Sequence, residues 1–232
     1  MAADPPASRP RYRIGPIRTR HATVAVAAGF WGTMDTDSLL IDALVVDLDG
    51  SFEALVLAHQ DRIYSIALRV LGDPRDAEEA AQDAFVRAYR ALGGYDAARI
   101  RDLRLRPWLA TIVLNLCRSR LTRRPAAARA TLSLDLDLPG ALEPRTDEGH
   151  DPAAASTVNA AAREWADLLL TLPPAYRSAV VLRHVDGLSY PELATALDRP
   201  EGTVKAQVHR GLALLRTAFE AAQRREREEM TA

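Results

Sequence analysis

Residues Gly187–Arg216, GLSYPELATALDRPEGTVKAQVHRGLALLR, decide how this chain is to be read. They read as two short helices with a tight break between them. Ser189 is placed to N-cap the first, and Glu192 three residues on completes a capping box. Pro191 falls in the first turn, where a missing N–H costs nothing. Leu188, Leu193, Ala194 and Leu197 supply the apolar face. Asp198-Arg199-Pro200 ends this helix and opens the next. There Val204, Val208, Leu212 and Leu215 recur at helical spacing, so one stripe is expected to be buried. At about 100° per residue the opposite side carries Thr203, Ala206, His209 and Arg210, flanked by Lys205 and Gln207. A short helix that hides an aliphatic stripe and shows small, amide, imidazole and cationic groups suits a DNA major groove. Periodicity alone leaves a plain solvated hairpin equally open.

The chain has 232 residues, room for one large domain or two small ones. It is rich in Ala, Leu and Arg with few aromatic or β-branched runs, which points to an all-α fold. A formal net charge of −1 hides strong segregation. Residues 99–124 carry eight Arg against Asp102 alone, whereas 125–162 carry six acids against two Arg. Residues 1–33 carry five Arg against one Asp, and 34–51 carry five Asp and no base. Such blocks bear on partners more than the total does. The single cysteine, Cys117, cannot form an internal disulfide, and no Cys/His spacing suits a metal, so a reduced cytoplasmic setting is expected. The uncharged stretch between Ala22 and Asp35 is too short to span a bilayer, and no membrane insertion is expected.

Taken in order, residues 1–38 read as an extension without periodicity, with Met34 a candidate start of translation and the basic arm a candidate for touching nucleic acid. From about Leu39 the pattern turns helical. Phe52, Leu55, Val56, Ile63, Ala67, Leu68 and Leu71 form one stripe, ended by Gly72-Asp73-Pro74. The next helix runs to Leu92 with Ala77, Ala81, Ala84, Phe85, Ala88 and Leu92 inside, and Gly93-Gly94 stops it. Its acidic first turns (Asp76, Glu78, Glu79, Asp83) suit the positive end of the helix dipole, and equally a docking face for a basic partner. Tyr95–Arg106 reads as an Arg-studded loop. Pro107 opens a third long helix with Trp108, Leu109, Ile112, Val113 and Leu116, ending in Arg118, Arg120, Arg123 and Arg124. Asn115 within it is either a buried polar residue or an exposed reader; the cations with Trp108 suit phosphates and unstacked bases. Residues 125–157 read as an acidic Pro/Ala-rich linker. Periodicity resumes at Val158: Trp165, Leu168, Leu169 and Leu172 line one helix, and Pro173-Pro174 opens another with Val180, Val181 and Val185 inside. Residues 217–232 read as a charged helical tail.

Two blocks now carry a resemblance. FEALVLAHQDRIYSIALRVLGDPRDAEEAAQDAFVRAYRAL, followed by the Trp-Leu helix with Asn115, resembles region 2 of bacterial sigma factors. LPPAYRSAVVLRHVDGLSYPELATALDRPEGTVKAQVHRGLALLR resembles region 4. With nothing resembling region 3 between them, the chain resembles an extracytoplasmic-function (ECF, group IV) sigma factor over roughly 50–124 and 158–216. The resemblance implies two small helical domains, region 2 over 39–124 and region 4 over 158–216. It implies that Asp76, Glu79, Gln82 and Asp83 contact the β′ clamp helices of core RNA polymerase, with Phe85 as the core anchor, and that region 4 meets the β flap. Trp108, Asn115, Arg106, Arg118, Arg120, Arg123 and Arg124 would meet the melted minus-ten strand. Thr203, Lys205, Ala206, Gln207, His209 and Arg210 would read the minus-35 duplex, with Arg177 and Arg183 on phosphates.

The chain departs from the family where Ala206-Gln207 replaces the usual Ser-Arg, where Leu103 and Leu105 stand for a Gly-Phe before the Trp, and where Ser119 replaces an Asp. An apolar Ala206 can offer only contact such as that to a thymine methyl. The reading is therefore a non-enzymatic, cytoplasmic initiation factor without cofactor, binding polymerase and both duplex and single-stranded promoter DNA. The family leaves an anti-sigma factor open as a further partner. The alternative is a free-standing helix-turn-helix regulator with an N-terminal helical interaction module. An enzyme is not expected: the sequence shows no nucleophile–base pair, metal set or phosphate-binding Gly loop, and its five His are scattered.

Overall fold

The computed structural model of the protein describes residues 33–123 and 164–231. The expected basic arm, the linker 125–157, Arg124 and Val158 lie outside the described residues. All regular structure among the described residues is helical. The first half holds α1 (Thr33–Val46), α2 (Leu48–Leu71), α3 (Pro74–Leu92), α4 (Ala97–Arg101) and α5 (Leu105–Arg123). The second holds α6 over 164–171, α7 (Pro174–Val180) running into a π turn (Val181–Val185), α8 (Tyr190–Leu197) and α9 (Glu201–Thr231). Two expectations shift: α1 begins ahead of Leu39, and the loop after Gly94 contains α4, N-capped by Asp96 on the Arg99 N–H at 2.8 Å.

The turns follow from local chemistry. Gly72 ends α2 in the left-handed region at φ 77°, where its N–H reaches Leu68 O, and Asp73 then caps α3 through the N–H groups of Arg75 and Asp76. Pro74 and Pro174 open their helices at positions where no N–H is needed. Ser189 and Glu192 form the expected capping box, the Ser189 N–H donating to Glu192 Oε2 at 2.8 Å. Asp198 closes α8 at φ 51°, a left-handed cap that lets the chain turn sharply into α9.

The core of the first half forms where α2 packs on α3 and α5 on both. The buried face of α3 is Ala77, Ala80, Ala81, Ala84, Phe85, Ala88 and Leu92, small enough to bring neighbouring helices close. Facing it are Phe52, Leu55, Ile63, Ile66, Ala67, Val70 and Leu71 of α2 and Leu109, Val113, Leu116 and Cys117 of α5. Val56 and Leu68, expected in the stripe, are only partly buried, and His59 takes a core place instead. His59 Nε2 lies 3.3 Å from Asp37 Oδ1, an ion-pair distance without hydrogen-bond alignment. The Cys117 thiol is pushed up to about 12 by burial, which leaves it unreactive.

Three expected core residues are not core. Val185 is 45% exposed, at the last position of the π turn. Trp165 is 51% exposed, and its ring stacks on Phe219 of α9 with centroids 5.5 Å apart. Leu212 is 38% exposed, while Gly211 is buried. Steps of four drift around a helix of 3.6 residues per turn, so the stripe that stays in line is Val204, Val208, Gly211 and Leu215.

A Cβ on Gly211 would fall 2.6 Å from Val180 Cγ2 and 3.4 Å from Tyr176 Cβ, so α9 approaches α7 through this glycine. Gly202 meets nothing within 4 Å. Gly211→Ala is therefore expected to destabilise by about 1–3 kcal/mol through overpacking. Gly202→Ala is expected to stabilise by up to about 1 kcal/mol through helix propensity. Thermal melts of the two variants check the opposite signs.

Candidate functional site

The buried alanine face of α3 leaves its other side to water, and that side is acidic. Glu79 and Asp83 are exposed, Asp76 is half-buried, and Gln82 Nε2 donates to Glu78 Oε1 at 3.3 Å. Phe85 is fully buried beneath them. Arg120, expected on the DNA side, reaches across from α5 instead. Its Nη1 donates to Glu79 Oε2 and its Nη2 to Asp83 Oδ2, both at 2.9 Å, and Asp76 Oδ1 lies 3.9 Å away. Burial works against its charge, but the bonds to Glu79 and Asp83 outweigh that and hold the guanidinium above its ordinary range. Asp76, Asp83, Arg87, Ser119, Arg120 and Arg123 line an open cleft between α3 and α5.

The rest of the minus-ten set spreads along α4 and α5. Asn115, Arg118 and Arg123 are exposed, so Asn115 is not the buried polar residue that its apolar neighbours allowed. Asn115 Oδ1 accepts from Arg118 Nη1 at 3.2 Å, which holds both on one face. Trp108 is partly buried against Tyr95 at a tilted 6.3 Å, and the Arg99 guanidinium lies 3.9 Å over the Tyr95 ring. Arg106 is turned the other way: its Nη2 donates to the Asp186 carbonyl at 3.1 Å.

In the second half, α8 and α9 meet as a helix-turn-helix. Thr203, Lys205, Ala206, His209 and Arg210 are exposed and Gln207 half-buried, on the side away from Val204 and Val208. Lys205 Nζ donates to Glu201 Oε1 at 2.7 Å and lies 5.4 Å from the Tyr190 ring centre. The bond to Glu201 raises the ammonium above its usual range. Arg183 lies 5.0 Å from the Tyr190 ring centre, and its Nη1 donates to Leu188 O at 2.9 Å. Arg177 is a correction. It is 7% exposed, and its guanidinium donates to the carbonyls of Val70, Leu170 and Leu172 at 2.7, 2.6 and 2.9 Å. A side chain spent on three carbonyls has no reach to a phosphate.

Sequence reading missed Glu201 and Tyr190 as supports of Lys205, although the i, i+4 Glu–Lys spacing was a usable signal. It also missed Arg62 and Asp186, for which no local pattern exists. Among the described residues no group of three His, Cys, Asp or Glu could hold a metal, and no helix is long and apolar enough to cross a membrane. Arg120→Ala, which dissolves a partly exposed network, is expected to cost about 1 kcal/mol at low salt and less at high salt. Urea melts at two ionic strengths check this.

Residues 55–126 match sigma-70 region 2, and residues 162–215 match sigma-70, region 4. The chain is 34% identical over 167 residues to the ECF RNA polymerase sigma factor SigE of Mycolicibacterium smegmatis, covering 72% of this chain and 60% of that protein. It is 31% identical over 171 residues to the ECF RNA polymerase sigma factor SigW of Bacillus subtilis, covering 72% of this chain and 87% of that one. Its fold is similar to that of the sigma factor RpoE of Bartonella quintana, solved with the anti-sigma factor NepR. That likeness has a TM-score of 0.54 at 20% identity and covers 73% of this chain and 96% of that one. Each half of the described structure thus contains a matched region, and the free-standing regulator gains no support. The chain belongs to the extracytoplasmic-function family of RNA polymerase sigma factors, which are transcription initiation factors and not enzymes.

Proposed function

We propose that this sigma factor divides its work among three surfaces. Asp76, Glu79, Gln82 and Asp83 on α3 dock on the β′ clamp helices of core RNA polymerase. Asn115, Arg118 and Arg123 on α5, with Trp108 and Arg106, capture the melted minus-ten strand. Lys205, Ala206, Gln207, His209 and Arg210 on α9 read the minus-35 duplex, with Thr203 and Arg183 toward the backbone and the β flap as region 4's protein contact. The observation that carries this reading is the exposed face of α9, set opposite the Val204–Val208–Gly211–Leu215 stripe and presented by a capped α8.

The chemistry is recognition. Exposed cations such as Arg118, Arg123 and Arg210 gain from phosphate contact through released counterions, and α9 adds base-edge donors. Two weak DNA sites joined through one scaffold gain avidity by effective concentration, so polymerase supplies what the isolated chain lacks. Capturing an unstacked base offsets the few kcal/mol that unpairing costs. The site of action is the cytoplasm, where polymerase works. The anti-sigma complex of the RpoE relative supports a protein inhibitor of the same kind for this chain.

Run-off transcription tests the whole reading: added to core polymerase, the protein should yield discrete promoter-dependent transcripts. A gel shift with the protein alone should show little specific binding, and added core should restore it. Tight specific binding without polymerase would contradict the scaffold mechanism. Arg210→Ala is expected to lower minus-35-dependent initiation by about 5- to 100-fold, the loss of about 1–3 kcal/mol of base contact. Unchanged initiation from a promoter with an intact minus-35 element would remove Arg210 from the reading set.

A further inference from the structure

The start of α9 joins a residue assigned to the minus-35 duplex, Lys205, to one that is not, Glu201. Glu201 opens the helix, and Lys205 follows one turn later. Lys205 Nζ and Glu201 Oε1 are 2.7 Å apart with both side chains about half exposed, so the ion pair sits at the surface. The ammonium is held from a second side. It lies 5.4 Å from the centre of the Tyr190 ring, and Tyr190 packs against the core at the start of α8. Among the described residues, a Cβ on Gly202 would meet nothing within 4 Å, so this turn is open to a ligand. A helix-turn-helix brings the N-terminal residues of its second helix to the base edges, which puts Glu201 and Lys205 where sequence is read.

An acceptor and a donor 2.7 Å apart have a counterpart in the major groove. Cytosine N4 and guanine O6 are bonded to one another in a Watson–Crick pair, so they lie about 2.9 Å apart. The second N4 hydrogen points into the groove as a donor, and O6 with the adjacent N7 offers two acceptors. Over this edge the Glu201 carboxylate accepts from N4 while the Lys205 ammonium donates to O6 and N7. Their own bond need not break, because an ammonium has three donors and a carboxylate about four acceptor sites. The other three base pairs fit badly. C·G and A·T set donor against donor and acceptor against acceptor. T·A keeps a donor beside an acceptor, but the thymine methyl takes the place of guanine N7 and adenine N7 falls against the carboxylate. The ion pair is net neutral, so it adds little to the general pull of phosphates and acts mainly through the base edge.

Resting on the sigma-factor reading, we propose that Glu201 is a specificity-determining residue, which with Lys205 reads one G·C pair of the minus-35 duplex as a unit and in one orientation. Two plainer roles for Glu201 give different signatures. An acid at a helix N-terminus suits the dipole, and that role alone changes stability without changing sequence preference. A carboxylate acting only as charge weakens phosphate contact on every sequence alike. Reading by the pair ties Glu201 and Lys205 to the same base pair, beside Ala206, which offers only a methyl.

The test uses the full chain with core polymerase as wild type, Glu201→Ala, Lys205→Ala and the double variant. A template on which the wild type initiates is randomised through its minus-35 region, and the transcribed templates are sequenced. At one position the wild type should favour G·C over each other pair by about fivefold or more. Each single variant should level the preference at that same position and leave the order of preference elsewhere unchanged. The double variant should level it no further, because a broken pair cannot be broken twice. A Glu201→Ala profile matching wild type would overturn the proposal, whether initiation rises evenly on all templates or only the melting temperature falls. Single variants that alter different positions would overturn it as well. A wild type without any minus-35 preference would overturn the reading of α9 and this pair with it. A preference that depends on Arg210 but not on Glu201 overturns the pair alone and leaves that reading standing.

Discussion

The architecture depends on one helix having two incompatible faces. Along α3 every inward position but Phe85 and Leu92 is alanine, so α2 and α5 both pack against it and still enclose Phe85 completely. Close approach leaves no space for a polar side chain inside, and the acids collect on the outer face. The same helix thus sets the core and the charge that a polymerase would meet. A larger residue on this buried face would push the packed helices apart and move Asn115 and Arg118 on α5, so packing and the proposed DNA-reading face share a single constraint.

Charge is placed with similar economy. The Arg run of α5 looks like one cationic strip in the sequence, but the structure divides it. Arg120 turns to α3, where it bonds Glu79 and Asp83, and Arg118 turns to Asn115. Arg106 faces the second half. Cations that look equivalent therefore have three roles: binding the acidic face, orienting an amide, and bridging halves. Arg120 tempers the acidic patch without hiding it, since Glu79 and Asp83 keep more than half of their side-chain surface open. A basic partner would meet a patch of lower net charge and fixed geometry, which favours orientation over raw attraction.

Much of this was legible in the sequence where local rules suffice. Helix ends at Gly72, Asp73, Ser189 and Asp198 follow from backbone chemistry within a few residues. The outward face of α9 follows from helical angle, and Thr203, Lys205, His209 and Arg210 are exposed as that angle demands. Errors arose where a fixed step replaced the true period, as at Leu212, or where an apolar residue stands at the end of its helix, as at Val185. Arg177 shows the deeper limit. Nothing in its sequence neighbourhood distinguishes a phosphate contact from a guanidinium that satisfies carbonyls at the ends of α2 and α6, because those carbonyls meet only in three dimensions. Arg62 and Asp186, far apart in the chain, are invisible for the same reason.

That limit bears on specificity. With Ala206 and Gln207 in place of the family's Ser and Arg, α9 has few polar groups to aim at base edges. Lys205 is not a free substitute, because Glu201 and Tyr190 engage its ammonium. Restraint has a use: a lysine held near one position loses less freedom on meeting DNA than one that samples every rotamer. On the proposed reading, its bond to Glu201 would loosen or be shared when a base or phosphate arrives, and the half-exposed carboxylate of Glu201 would then face the duplex as well. A carboxylate there repels phosphate and accepts only from a base donor such as cytosine N4. On the proposed reading, Glu201 and Lys205 together would discriminate more than either alone, and the reading power missing at Ala206 would move to the first turn of the helix.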